Sequence, residues 1–289
     1  MLDLTKLRQE LQFNKEIGGI INVLRGVASS EFYRLQRERK RLTEFEECLN
    51  GMFSVISSIE EESIFVKESP LPETVIMITS DLGFLGKLNV AIVNAVMEKY
   101  SGGIRLVIVG RQGLRYLEAG EEDIVSFPGI SDEVSHREAD SVGNYVFERF
   151  FKGETGRVKV VFPHFISFGV WEVEEKELLP CRRIFEPFKG KGKIEYLIVE
   201  PSYKRALEYL VRVWVNHILY GILWESKLSE WSARVMHLER SSNEIKEMDK
   251  KLKFRYFRLL HENSDKNIRE IFSSRLAVSR QNRQLHGIA

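Results

Sequence analysis

Gly83 and Gly86 stand in ITSDLGFLGKLN, residues 78–89, between an apolar run ending at Ile78 and a helical pattern beginning at Val90. Glycines between a strand and a helix are the parts of a phosphate cradle, because the helix N-terminus offers free N–H groups and a positive dipole end. The spacing fits neither nucleotide template. In G-x-x-x-x-G-K-[ST] the glycines lie further apart than Gly83 and Gly86, and Leu88 stands where Ser or Thr is needed. In G-x-G-x-x-G the first glycine position is occupied by Asp81. On the residues alone the stretch is a tight strand-to-helix turn, with glycines taking positive φ at low steric cost.

The remaining reactive residues form no persuasive set. His136, Glu138 and Asp140 could do acid–base chemistry but fall on a charged helix face. His164, beside Pro163, lies on an alternating strand and reads as structural or exposed; His261 and Glu262 read as helix surface. Six scattered histidines give no metal-ligand spacing. Two cysteines, Cys48 and Cys181, make no disulfide framework and fit a reducing compartment. Arg34, Arg37, Arg39, Lys40 and Arg41 form the densest basic run. Its default is a solvated helix face, and its functional reading is a basic collar for an acidic protein partner. The segment from Arg275 to Ala289, with Arg280 and Arg283, reads as a frayed basic tail. No catalytic, cofactor-binding or metal-binding residue is expected.

The bulk numbers agree. With 43% hydrophobic and 29% charged residues in 289, the chain is an ordinary globular protein long enough for one or two domains. A net charge of +1 offers no nucleic-acid footprint. No stretch approaches the roughly 20 apolar residues that cross a bilayer, and MLDLTKLRQE lacks the apolar core of a signal peptide.

Proline divides the chain. All seven prolines lie between Pro70 and Pro201, so 1–69 and 202–289 are free of a residue that costs about 3 kcal/mol inside a helix. Both ends carry helical periodicity. The N-terminal series is Leu7, Leu11, Ile17, Ile20 or Ile21, Leu24, Val27 or Ala28, Phe32, Leu35. The C-terminal series is Trp231, Val235, Leu238, Ile245, Met248, Leu252, Tyr256, Leu259, with Ser242 as a polar gap. One helix over 204–275 would be about 110 Å long at 1.5 Å per residue and would need a partner for its stripe. The chain's other end supplies one as an antiparallel coiled coil; several shorter helices in a bundle are the alternative.

The middle alternates strand and helix. Strands are expected at Thr74–Thr79, Ile104–Val109, Ile124–Phe127 and Ile194–Val199, with a hairpin at Val158–Phe168 and Val170–Leu178. Helices are expected at Val90–Tyr100, Gln112–Glu118 and Asp132–Phe151. That order predicts a largely parallel sheet covered by helices. The fold class is α/β: a Rossmann-like domain, 70–201, inserted between an N-terminal helix and connector, 1–69, and a C-terminal helix, 202–289.

Three stretches together resemble the γ subunit of F-type ATP synthases. Ile78, Thr79, Ser80, Asp81, Gly83, Gly86 and Asn89 match that family's ITSD-x-G-x-x-G-x-x-N signature. In IINVLRGVASSEFYRLQ, residues 20–36, Ile20, Val27, Ala28, Ser29 and Gln36 match. In ILWESKLSEWSARVMHLERSSNEI, residues 222–245, Glu225, Ser226, Ser229, Glu230, Ala233, Arg234, Met236, Ser241 or Ser242, and Asn243 fall in register. The chain departs from the pattern at Leu82, Phe84 and Leu85, and at Leu24 and Gly26. It departs again at the helix-interior pair Gly18 and Gly19, and where Ser264, Asp265 and Lys266 replace an Ala-Arg-Gln element.

The resemblance implies a non-catalytic central rotary stalk, present in single copy, coupling ion flow to ATP synthesis or hydrolysis. A non-rotary adaptor is the alternative. The implied partners are the alpha and beta subunits of the head, the epsilon subunit and the membrane c-ring. The implied location is peripheral, on the cytoplasmic side of the membrane. Leu276, Ala277 and Val278 are then candidates for an upper bearing and Arg275 for a catch.

Overall fold

A computed structural model describes residues 2–38, 69–100, 103–117, 123–181 and 202–286, with positions 45, 48–49, 51–53, 65 and 200 between them. The elements in chain order are α1 (Leu2–Glu38), β1 (Glu73–Ile78), α2 (Leu88–Lys99), β2 (Arg105–Val109) and α3 (Arg111–Leu114). They continue with β3 (Ile124–Phe127), α4 (His136–Phe151), β4 (Arg157–Ser167), β5 (Val170–Leu179) and α5 (Tyr203–His286). The expected strand Ile194–Val199 lies outside the described residues, as do Arg39, Lys40 and Arg41.

Five strands form one sheet in the order β3-β2-β1-β4-β5. The first four are parallel, and β5 returns antiparallel along β4 through the hairpin. Alternate residues of β1 feed opposite cores. Ile76 and Ile78 join Val107, Val158 and Phe162 under α4 and the first part of α5, while Val75 and Met77 join Ile108 and Val161 under α2. A sheet covered on both faces needs apolar residues at every position, hence the unbroken run in β1. Each such side chain contributes about 1.5–3 kcal/mol on burial. Pro163 is tolerated within β4 because it lies beyond the pairing with β1, which ends at Val161.

α4 begins at His136, later than the expected Asp132. Glu138 explains the difference: its carboxylate accepts the backbone N–H of Ser135 at 3.1 Å and that of Ser131 at 2.9 Å. That carboxylate satisfies a helix-start donor and fixes the preceding loop.

The chain divides into two compact units, Gly26–His237 and the combination of Met1–Arg25 with Leu238–Ala289. In the second of these, α1 and α5 pair antiparallel. Arg25 is ion-paired with Glu239, Ser242 Oγ donates to Asn22 Oδ1 at 3.3 Å, and Gly18 lies beside Ile245. Each step back along α1 is matched by a step forward along α5. Half-buried positions on α5 recur at Ile245, Asp249, Leu252, Tyr256, Leu259 and Asn263, alternating four and three apart, the spacing of a coiled-coil seam.

Two expected seam residues move. Leu24 is 39% exposed and Met248 54% exposed, and the neighbouring polar Arg25 and Asp249 take the half-buried positions. Ile21 and Ala28 are the covered members of their alternatives, since Ile20 and Val27 are more than half exposed. Among the described residues no helix is long and apolar enough to cross a membrane.

Candidate functional site

α5 meets the carboxyl ends of the parallel strands, the end at which crevices of an open α/β sheet bind ligands. The loop after β1 is stitched to its neighbours by its own polar residues. Thr79 N donates to Val109 O at 2.8 Å, and Thr79 Oγ1 accepts from Gly113 N at 3.0 Å. Asp81 Oδ1 accepts the backbone N–H of Arg111 at 2.8 Å and that of Gly129 at 3.2 Å. One carboxylate thus ties the ends of β1, β2 and β3 together. Gly110 permits the approach: its φ is 98°, and a Cβ there would fall 2.3 Å from Thr79 O.

The turn itself differs from expectation in one residue. Gly86 has φ 60°, but the other positive φ, 63°, belongs to Phe84 and not to Gly83. A bulky residue in that conformation is uncommon. Phe84 is 58% exposed, its ring 6.4 Å from that of His237 on α5.

α5 then closes the crevice with side chains. Lys227 Nζ donates to Ile130 O in the loop after β3, at 3.0 Å. Ser229 Oγ donates to Pro163 O in β4 at 2.9 Å. Ser232 Oγ accepts from Gly169 N at the hairpin tip at 2.7 Å. Arg234 Nε donates to Gly83 O at 3.4 Å. Ser226, Lys227, Ser229, Glu230, Ser232 and Arg234 are all buried, so this stretch of helix is enclosed by the domain. The space where a Rossmann-type domain holds a ligand is occupied by α5.

Charges inside that space are paired. Glu230 lies 2.6 Å from Arg234 and 3.4 Å from Lys227, and both cations lie over the Trp231 ring, at 4.3 and 5.2 Å from its centroid. His164 joins the same seam. Its Nδ1 stands 3.0 Å from Glu225 on α5 and 3.1 Å from Glu174 on β5.

The other singled-out residues do not converge. His136 stacks on Tyr220 while Glu138 serves the loop before α4. His261 and Glu262 are exposed, Glu262 accepting from Arg258. Arg34 turns inward to Glu31 and to Asp132 O at 2.7 Å, so it is not a free part of a basic collar; Arg37 caps Tyr33 O. Arg275 is exposed, and the side chains of Leu276, Ala277 and Val278 lie outside the described residues.

A second charged cluster lies on the far side of the sheet. Burial works to raise the Glu175 pKa, but hydrogen bonds from Lys99 at 2.7 Å and Tyr100 at 3.0 Å, with Lys159 nearby, outweigh it and hold the carboxyl below its usual range. Burial and the bond to Glu175 push the Tyr100 hydroxyl well above its usual value. Burial likewise pushes the Cys181 thiol up to about 12.

The α/β domain encloses one stretch of α5, and a later stretch of the same helix pairs with α1 as an antiparallel coiled coil. The sequence model of the ATP synthase family matches residues 3–278. The ATP synthase gamma chain of Mesoplasma florum is 24% identical over 285 residues, covering 96% of this chain and 99% of that one. The gamma chain of Macrococcus caseolyticus is 23% identical over 289 residues, covering 96% and 100%. Among solved structures, a chain of the Euglena gracilis mitochondrial ATP synthase, OSCP/F1/c-ring, superposes with a TM-score of 0.67 at 15% identity over 96% of this chain and 94% of that one. A chain of the Tetrahymena thermophila mitochondrial ATP synthase central stalk/c-ring gives 0.59 at 19% identity over 77% and 99%. The chain belongs to the ATP synthase family, as a divergent gamma-type member.

Proposed function

We propose that this chain is the central rotary stalk subunit of an F-type ATP synthase, coupling ion flow through a membrane ring to ATP synthesis or hydrolysis in an alpha/beta head. The observation that carries this reading is α5 itself. One unbroken helix of 84 residues is enclosed by the α/β domain over its first part and is the coiled-coil partner of α1 further on. Past the pairing the helix continues, and Ile268, Ile271 and Phe272 on it are 52%, 55% and 66% exposed. Apolar side chains in such a row call for an enclosing partner, and the alpha and beta subunits of the head supply it.

On this reading the chain is non-catalytic and holds no cofactor or metal. It acts by differential contact with beta subunits in different nucleotide states. The shaft comprises 1–60 and 204–280, within the N-terminal helix and connector, 1–69, and the C-terminal helix, 202–289; the inserted domain, 70–201, faces the epsilon subunit and the c-ring. The chain is present once per complex, peripheral to the membrane on its cytoplasmic side. Arg275 serves as a catch, and Leu276, Ala277 and Val278 as the upper bearing. The non-rotary adaptor reading gains nothing from the relatives, which are ATP synthase gamma chains. Co-expression with the alpha, beta and epsilon subunits of the same organism tests the proposal. A stable complex holding one copy of this chain is expected; recovery of the chain apart from an assembled head would refute it.

A further inference from the structure

The rotary reading requires α5 to turn the α/β domain without slipping against it, which calls for contacts that resist slip. Ser229, Ser232 and Arg234 of α5 each reach one backbone atom of the domain. Lys227 is different. It is 3% exposed, and its ammonium meets three acceptors: Ile130 O at 3.0 Å, Asp132 Oδ1 at 3.3 Å and Glu230 Oε2 at 3.4 Å. An ammonium has three N–H donors, so all three have an acceptor within reach.

The loop it holds, after β3, is also held by α1, through Arg34 Nη2 on Asp132 O at 2.7 Å. Both long helices therefore fasten to the same short loop. Asp81 in turn binds Gly129 N and Arg111 N, joining that loop to the ends of β1 and β2. The path from helix to sheet is continuous: α5 through Lys227 to residues 130–132, then through Asp81 to the strand ends.

A buried cation is a costly way to fill space, since desolvation takes several kcal/mol that an apolar side chain would not forfeit. Its return is directional: the ammonium is satisfied in one register of helix against loop, whereas an apolar contact tolerates sliding. Lys227 and Trp231, whose ring lies beside it, occupy positions that the family resemblance leaves open, while Ser229, Glu230 and Arg234 match it.

We propose that Lys227 is a positioning residue of the rotor, the buried lock that fixes α5 in register on the loop after β3 so that turning of the helix is delivered to the α/β domain. This rests on the rotary reading. The test uses the whole synthase reconstituted in vesicles, comparing wild type with Lys227→Met, which keeps the side-chain bulk, and Asp132→Asn, which alters only the loop side. ATP hydrolysis and ATP-driven ion pumping are read on the same vesicles, with subunit content as the control for assembly. In assembled Lys227→Met complexes the ratio of pumping to hydrolysis is expected to fall about fivefold, the low end of a coupling interaction. Asp132→Asn is expected to give a smaller fall in the same direction. An unchanged ratio in assembled Lys227→Met complexes would overturn the inference. If that variant does not assemble, an unchanged ratio in Asp132→Asn overturns it. A wild-type complex that hydrolyses ATP without pumping would overturn the rotary reading and the inference together.

Discussion

Asn89 and Ser80 hold each other by two hydrogen bonds. Asn89 Nδ2 donates to Ser80 Oγ at 2.9 Å, and Asn89 Oδ1 accepts from Ser80 N at 3.2 Å. Both are buried, so the first turn of α2 is pinned to the end of β1 by an amide that satisfies a backbone donor and a hydroxyl at once. Asn89→Ala leaves the Ser80 N–H buried without this partner. It is expected to cost about 2–3 kcal/mol of unfolding free energy in urea titration. A loss below about 0.5 kcal/mol, the scale of an ordinary surface substitution, would contradict this account of the turn.

The glycines of α1 and of the domain should respond with opposite signs. A Cβ at Gly18 would meet Ile245 Cγ2 at an ordinary 3.6 Å, and one at Gly19 would meet nothing within 4 Å. Since neither is needed for space, Gly18→Ala and Gly19→Ala should each stabilise the helix by about 0.5–1 kcal/mol. Thermal melting by circular dichroism should show a higher midpoint. Gly110→Ala should lower it, because its Cβ would collide with Thr79 O.

Glu175 makes stability depend on acid. Its folded-state pKa is depressed, so its contribution is present above the unfolded carboxylate value of about 4.3 and is lost as pH falls through the lower folded value. Glu175→Gln should therefore destabilise the chain at neutral pH, and the gap between variant and wild type should close as pH falls below that unfolded value. Denaturation curves across that range give the comparison; a gap independent of pH would exclude the role.

The two thiols should separate cleanly. Cys181 is 4% exposed, its pKa pushed up to about 12, while Cys48 is exposed. A thiol-disulfide reagent at neutral pH should label Cys48 in the native chain and both after denaturation. Rapid native labelling of Cys181 would show that its surroundings open readily.

Much of this architecture could be read from residue types, and the places where it could not share a cause. The long helices of the proline-free ends, the strand–helix alternation of the middle and the ITSD turn are legible because they depend on local propensity and on alternation. An apolar pattern places the seam at Leu24 and Met248 because it selects the apolar residue, whereas the heptad runs on through the half-buried Arg25 and Asp249. Long polar side chains can cover a seam with their stems and reach water with their heads. The positive φ at Phe84 was invisible because Gly83 beside it is the residue that propensity favours. The lock at Lys227 was unreadable for a different reason. Its backbone partner, Ile130, lies 97 residues away in sequence, in a loop whose position depends on the whole sheet. The roles of Thr79, Ser80, Asp81 and Asn89 were marked as important by resemblance, but their work as stitches between strand ends needed the structure.

Rotation is the most direct test of the central claim. With the head fixed to a surface and a bead on Lys152→Cys, the exposed position just after α4, in a Cys48→Ser background, ATP should drive unidirectional rotation of the bead. ATP hydrolysis by the assembled complex with the bead stationary would contradict the account.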